Sequence, residues 1–216
     1  MQQIKAILFE PVACLAEFPP EPFLQKKPSR SGSRVYWHLL NLMESSHAES
    51  IESLELEAVE AAQVYEDVLP ALSELKQMGI KLLLTSSLSR AAINAFLRKC
   101  SPPFDGIWSR DDAGGIKEAP LRCALAAAAV PPEHAIFLTD TAEGLKVAKS
   151  VGVHPILMMN DPDEARRLTT HDPSGGIVSL HELPDFVKFV QSRHEFPTPH
   201  PRFSPAPGPR LPAPGV

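Results

Sequence analysis

At 216 residues the chain is long enough for one core-bearing domain with an insertion or a tail. Apolar residues make up 44% and charged residues 22%, the balance of a soluble globular protein. A formal charge of −5 argues against nucleic-acid binding, which draws its affinity from clustered lysine and arginine, and no apolar run approaches the roughly 20 residues a membrane-spanning helix needs.

The opening residues, MQQIKAILFE, pass directly into a strand pattern, so no signal peptide is expected there. Ile4–Phe9 is a short apolar run of the buried-strand type. Phe18–Ser33 mixes proline, serine and lysine and reads as a linker leaving that strand. Ser33–Gln63 carries two helix patterns with no strand between them, where a lid or cap could cover a site. Its Val35, Trp37, Leu39, Leu40 and Leu42 could support a homodimer or pack on their own core, and the second is favoured. A helix pattern over Tyr65–Met78 stops at Gly79, and Ile80–Thr85 is a second buried strand. Then come a helix at Ser89–Lys99, a short strand at Gly106–Ser109, a helix at Ala119–Ala129 and a strand at Ala135–Thr139. A helix at Ala142–Val151, a strand at His154–Met159 and helices at Asp161–Leu168 and His181–Ser192 complete the series.

From about His194 onward the chain changes character. Eight prolines lie between Pro197 and Pro214. Proline fixes φ and has no amide to donate, so this segment is expected to be an extended, polyproline-prone or disordered tail. Within it PGPRLPAP (Pro207–Pro214) has P-x-x-P-like spacing suited to an aromatic groove, although such tails more often act as spacers. Cys14, Cys100 and Cys123 are odd in number and widely spaced, matching neither a disulfide framework nor a C-x-x-C zinc pair. A reducing, cytoplasmic setting is the expectation that follows. The histidines show no metal-ligand spacing.

Apolar strands alternating with helices specify a three-layer, Rossmann-like α/β fold built on a parallel sheet covered on both faces. Ligands in such sheets sit at the carboxyl ends of the strands, beside the switch point. The loops after Phe9, Thr85 and Thr139 are therefore the ones in which to seek a site.

Four segments in order carry a family resemblance. YEDVLPALSELKQMGIKLLLTSS (Tyr65–Ser87) is a helix, a glycine stop and a strand ending in hydroxyl residues. FLTDTAEGLKVAKSVGV (Phe137–Val153) follows without gaps, Lys117 precedes a helix, and Glu10-Pro11-Val12-Ala13-Cys14 follows the first strand. Over about residues 1–192 the chain resembles the haloacid dehalogenase superfamily. The resemblance implies a core of residues 1–17 and 65–193, a linker and small helical cap inserted after the first strand over 18–64, and the tail at 194–216. It implies a nucleophilic aspartate at the position of Glu10, a general acid/base at Val12 and a Gly-Thr turn at Ala13-Cys14. It also implies phosphate binding by Thr85, Ser86 and Lys117, with magnesium held by Glu10, the Val12 carbonyl and Asp140. The second acid of its magnesium-binding pair would stand at Gly144. Glu143 is a poor substitute, because one residue's shift on a helix turns a side chain by roughly 100°.

The departures have chemical consequences. In-line attack on phosphorus needs the carboxylate at about 3–3.5 Å, and Glu10 adds a methylene to the expected side chain. Valine cannot carry a proton, and loss of general acid/base catalysis typically costs ~10²–10⁴-fold. Bland readings stand beside the chemical ones. Glu10 would be a surface-loop carboxylate, Asp140 a helix cap, Lys117 a solvated lysine, and Thr85 and Ser86 a strand end or the cap of Ser89–Lys99. Cys14 would be a small apolar residue rather than a thiol nucleophile. The favoured expectation is a catalytically impaired protein that binds a phosphate-bearing ligand or a protein partner, with a weakened magnesium site. The alternatives are a weak phosphatase or metal-independent dehalogenase-like hydrolase using Glu10, and a scaffold recruiting partners through the tail.

Overall fold

Why the apolar runs become the middle of a sheet is seen in their burial. Strand β1 (Ala6–Phe9) has no exposed residue on either side of the pleat, so both faces of the sheet are covered. The computed structural model describes residues 3–19, 22, 48–193 and 196. After β1 come β2 (Ala16–Glu17), helix α1 (Ala48–Ala61), β3 (Gln63–Val64), α2 (Val68–Gln77) and β4 (Lys81–Thr85). Then follow α3 (Arg90–Lys99), β5 (Gly106–Trp108), α4 (Arg110–Ala113), α5 (Glu118–Ala128) and β6 (Ala135–Thr139). The series ends with α6 (Ala142–Val151), β7 (His154–Met158), α7 (Pro162–Leu168), β8 (Gly175–Ile177) and α8 (Leu183–Arg193).

Six strands form one sheet in the order β5-β4-β1-β6-β7-β8, every neighbouring pair parallel. This is the α/β architecture expected from the alternating pattern. The helices follow 3.6-residue logic: α2 buries Val68, Ala71, Leu72 and Leu75, spaced so that one stripe faces the sheet. Its end is set by Gly79, whose φ of +77° is open to glycine at little cost. Among the described residues no helix is long and apolar enough to cross a membrane.

The insertion after β1 leaves and returns at one point. β2 and β3 pair antiparallel, Ala16 opposite Val64, and the Tyr65 amide donates to the Leu15 carbonyl at 3.1 Å. Helix α1 packs against α3 and places Ile51, Leu54, Ala58 and Val59 in the same hydrophobic core as the sheet. Residues 33–47, with the apolar set from Val35 to Leu42, lie outside the described residues, as does most of the linker. The proline-rich tail lies outside them too, except Phe196. That ring rests on His154, with centroids 4.0 Å apart, and lies 6.2 Å from Phe186.

Four of these elements have no counterpart in the sequence reading, the short helix α4 among them. β8 contains Gly175 and Gly176, so it lacks the apolar run that marks a strand, and it forms by pairing with β7. The β2–β3 pair is too short to show any periodicity.

Candidate active site at the switch point

The sheet order reverses between β1 and β6: the chain leaves β1 for β4 and β5 on one side and returns to β6, β7 and β8 on the other. Phe9 is level with Leu84 of β4 and Leu138 of β6. Glu10, Thr85 and Thr139 therefore end the three central strands at one height, and their loops meet where the topology leaves a crevice.

Glu10 is no surface carboxylate. It is buried, with 5% of its surface exposed. Burial, and next the negative charge of Asp140, push its carboxyl up to about 8. At neutral pH it is mostly protonated, the opposite of what an attacking carboxylate requires. The turn after it doubles back tightly: the Pro11 carbonyl accepts from the amides of Leu15 and Ala16, each at 3.1 Å. Ala13 sits at φ +60°, where the resemblance expects glycine, and its carbonyl accepts from the Asn160 side chain at 2.9 Å. Val12 is buried in the hydrophobic core and bridges to Ala16. The Cys14 thiol is fully buried and donates to the Leu138 carbonyl at 3.5 Å, so it behaves as a core residue.

Across the crevice, Thr85 is 1% exposed, and its hydroxyl is the buried side-chain polar atom without a hydrogen-bond partner among the described residues. A buried hydroxyl left unsatisfied costs about 1–3 kcal/mol, and such an atom at a strand end fits a ligand oxygen. The Ser86 amide donates to the Trp108 carbonyl at 3.0 Å, and its hydroxyl accepts from the Leu88 amide at 3.1 Å. Neither residue caps α3. That role belongs to Ser89, which accepts from the Ala92 amide.

Ser87, which sequence reasoning passed over, ties the loop after β4 to Lys117. Its hydroxyl accepts from the Lys117 amide at 2.8 Å. Lys117 sits at φ +60° just before α5, a conformation rare for a side-chain-bearing residue. No periodicity could have exposed this contact, since the two residues are 30 positions apart.

At the end of β6 the helix-cap reading of Asp140 is corrected. Thr141 caps α6, accepting from the Gly144 amide at 3.0 Å. Asp140 stays half-buried at the mouth, close enough to Glu10 to act on its proton. Gly144 has a packing reason. A Cβ there would lie 1.9 Å from the Thr139 hydroxyl oxygen and 2.8 Å from its Cβ, and Thr139 is fully buried. The lack of a carboxylate at 144 thus follows from local packing and is weaker evidence of lost chemistry than the sequence suggested.

Glu10 and Asp140 offer the hard oxygens magnesium accepts, with the Val12 carbonyl a third donor in sequence. Among the described residues no group of three or more His, Cys, Asp or Glu is placed to hold a metal. Any ion would rest on two carboxylates, backbone and water.

Residues 26–158 match the profile of the haloacid dehalogenase-like hydrolase family. The chain belongs to that family. A stretch of 93 residues is 33% identical to Protein CbbY of Cereibacter sphaeroides, covering 40% of this chain and 40% of that relative. A haloacid dehalogenase-like hydrolase from Streptococcus pneumoniae superposes with a TM-score of 0.68 at 18% identity, covering 86% of this chain and 99% of the other. CbbY from Rhodobacter sphaeroides, solved in complex with phosphate, superposes at 0.63 with 22% identity over 84% of this chain and 96% of its own. These likenesses show a haloacid dehalogenase-like fold.

Proposed function

We propose that this haloacid dehalogenase-like protein holds a phosphate-bearing small molecule in the crevice and turns it over poorly or not at all. The observation that carries the reading is Val12, a buried apolar side chain two residues beyond Glu10, where the resemblance expects a proton carrier. Glu10 supports it: a carboxyl kept mostly protonated near pH 7 is a weak nucleophile, yet it does not repel an incoming anion.

The residues on the holding side support the reading. Thr85 presents a buried hydroxyl, Ser86 follows it, and Lys117 is tied alongside through Ser87. A hydroxyl and an ammonium bind an oxyanion without chemistry. Magnesium, where Glu10, Asp140 and the Val12 carbonyl held it, would displace the Glu10 proton and supply charge neutralisation for the phosphate. Residues 18–64 would serve as the cap that selects the rest of the ligand. That CbbY was solved with phosphate favours phosphate as the common chemical group.

The test pairs binding with turnover. Calorimetric titration of inorganic phosphate into the full chain with magnesium should show binding that weakens in Lys117→Ala. Release of phosphate from a panel of sugar phosphates should stay at the level of Glu10→Ala. Magnesium-dependent release by the wild type that disappears in Glu10→Ala would make the protein a working hydrolase instead.

A further inference from the structure

Helix α1 lies between β2 and β3, yet it sends one charged side chain to the loop that follows β4. Glu55 is fully buried. One of its carboxylate oxygens accepts from the Ser89 amide at 3.1 Å, and the other pairs with the Arg110 guanidinium, itself only 8% exposed. Arg110 donates in turn to the Ser87 carbonyl at 2.9 Å, and its own amide donates to the Leu88 carbonyl at 3.2 Å. The Ser87 hydroxyl then receives the Lys117 amide. A continuous path of buried and part-buried polar contacts therefore runs from helix α1, through the loop after β4, to the backbone of Lys117.

We infer that Glu55 is a positioning residue for the anion seat: acting through Arg110 and Ser87, it couples the inserted helix to the placement of Thr85, Ser86 and Lys117. The inference rests on the phosphate-binding reading above. Two physical points favour it over a purely structural pair. Replacing a buried ion pair with apolar side chains of similar size is often neutral or stabilising, so stability alone does not account for one. The contacts also converge on the loop of residues 86–89 and on a lysine held at positive φ, a backbone that needs an external tie to stay there.

Coupling of this kind is reciprocal. A ligand that favours the ordered seat must favour the docked form of α1, and removing the tie must weaken the ligand. The network predicts both effects from the same contacts.

The experiment uses the full chain and inorganic phosphate with magnesium, read by calorimetry and by hydrogen exchange of the peptide spanning 48–61. In the wild type, phosphate should bind and slow exchange in that peptide. Replacing both partners, Glu55→Met with Arg110→Met, should preserve the far-UV circular dichroism, weaken phosphate by about tenfold and abolish the exchange response. Ser87→Ala, which cuts only the last link, should do the same to a smaller degree. Glu55→Gln keeps the shape but only one acceptor oxygen, its amide nitrogen facing the second donor, and should weaken phosphate to an intermediate degree, a loss that packing alone would not predict. If the paired variant fails to fold, Ser87→Ala decides. Wild-type affinity and exchange response in a folded paired variant, or in Ser87→Ala, would overturn the inference while leaving phosphate binding in place. No binding by the wild type would sink the phosphate reading itself, and this inference with it.

Discussion

Glu10 is the residue on which the chemistry turns, and its burial makes a prediction with a definite sign. Its carboxyl is raised from an ordinary value of 4.5 to about 8, so the folded chain keeps a proton that the unfolded chain releases. The favourable contribution is complete below about pH 4.5 and is lost as pH rises through 8, at about 1.4 kcal/mol per pH unit between the two. Glu10→Gln should match the wild type near pH 4.5 and exceed its melting temperature at pH 8.5 in EDTA. Equal melting temperatures at both values would mean that Glu10 reaches solvent. Gly144 makes a second prediction. Gly→Ala inside a helix ordinarily stabilises by about 1 kcal/mol. Here the new methyl meets Thr139, so Gly144→Ala should destabilise by about 1–3 kcal/mol in urea unfolding. A stabilised variant would show that Thr139 has room to move.

Among the elements, α6 shows how a short helix is placed against the crevice. Thr141 accepts from the Gly144 amide, Glu143 stands in the first turn, and Gly152 closes the last turn at φ +88°. Because Asp140 is not the cap, helix stability and site charge are separable. Thr141→Ala should cost about 1 kcal/mol, seen as a lower urea midpoint. Asp140→Asn should leave the helix intact while lowering the Glu10 carboxyl, a shift that a carboxylate-labelled NMR titration would follow. Helix α3 has the same logic at its start, where the Ser89 hydroxyl caps the helix and its amide donates to Glu55.

Across the whole molecule, the sheet is covered on both faces, and one ring from beyond α8 packs at the start of β7. Phe196 covers His154, whose imidazole is held below its ordinary value chiefly by burial. Phe196→Ala should raise the His154 titration midpoint toward the ordinary value in an NMR titration and cost about 1–2 kcal/mol for a half-buried ring. An unchanged midpoint would mean the helices around β7, not this ring, exclude the water.

Local chemistry wrote much of the fold plainly. Ile4–Phe9, Ile80–Thr85 and Ala135–Thr139 are apolar runs too short for helices and bounded by turn residues, so they could only be buried strands. Proline and glycine marked the element ends, and the motif frame located Glu10, Thr85, Lys117 and Asp140. What sequence alone left open was decided by contacts between distant positions. The burial that keeps a proton on Glu10, the Thr139 hydroxyl that occupies the space beside Gly144, and the Ser87 bridge to Lys117 all depend on which strands lie side by side. The same holds for β8, which has no apolar run of its own, and for Glu55, which looks like one more surface acid in AESIESLELEAVEA until α1 is laid against α3. Periodicity records which face of an element is apolar; charge, hydrogen bonding and free space depend on what that face meets.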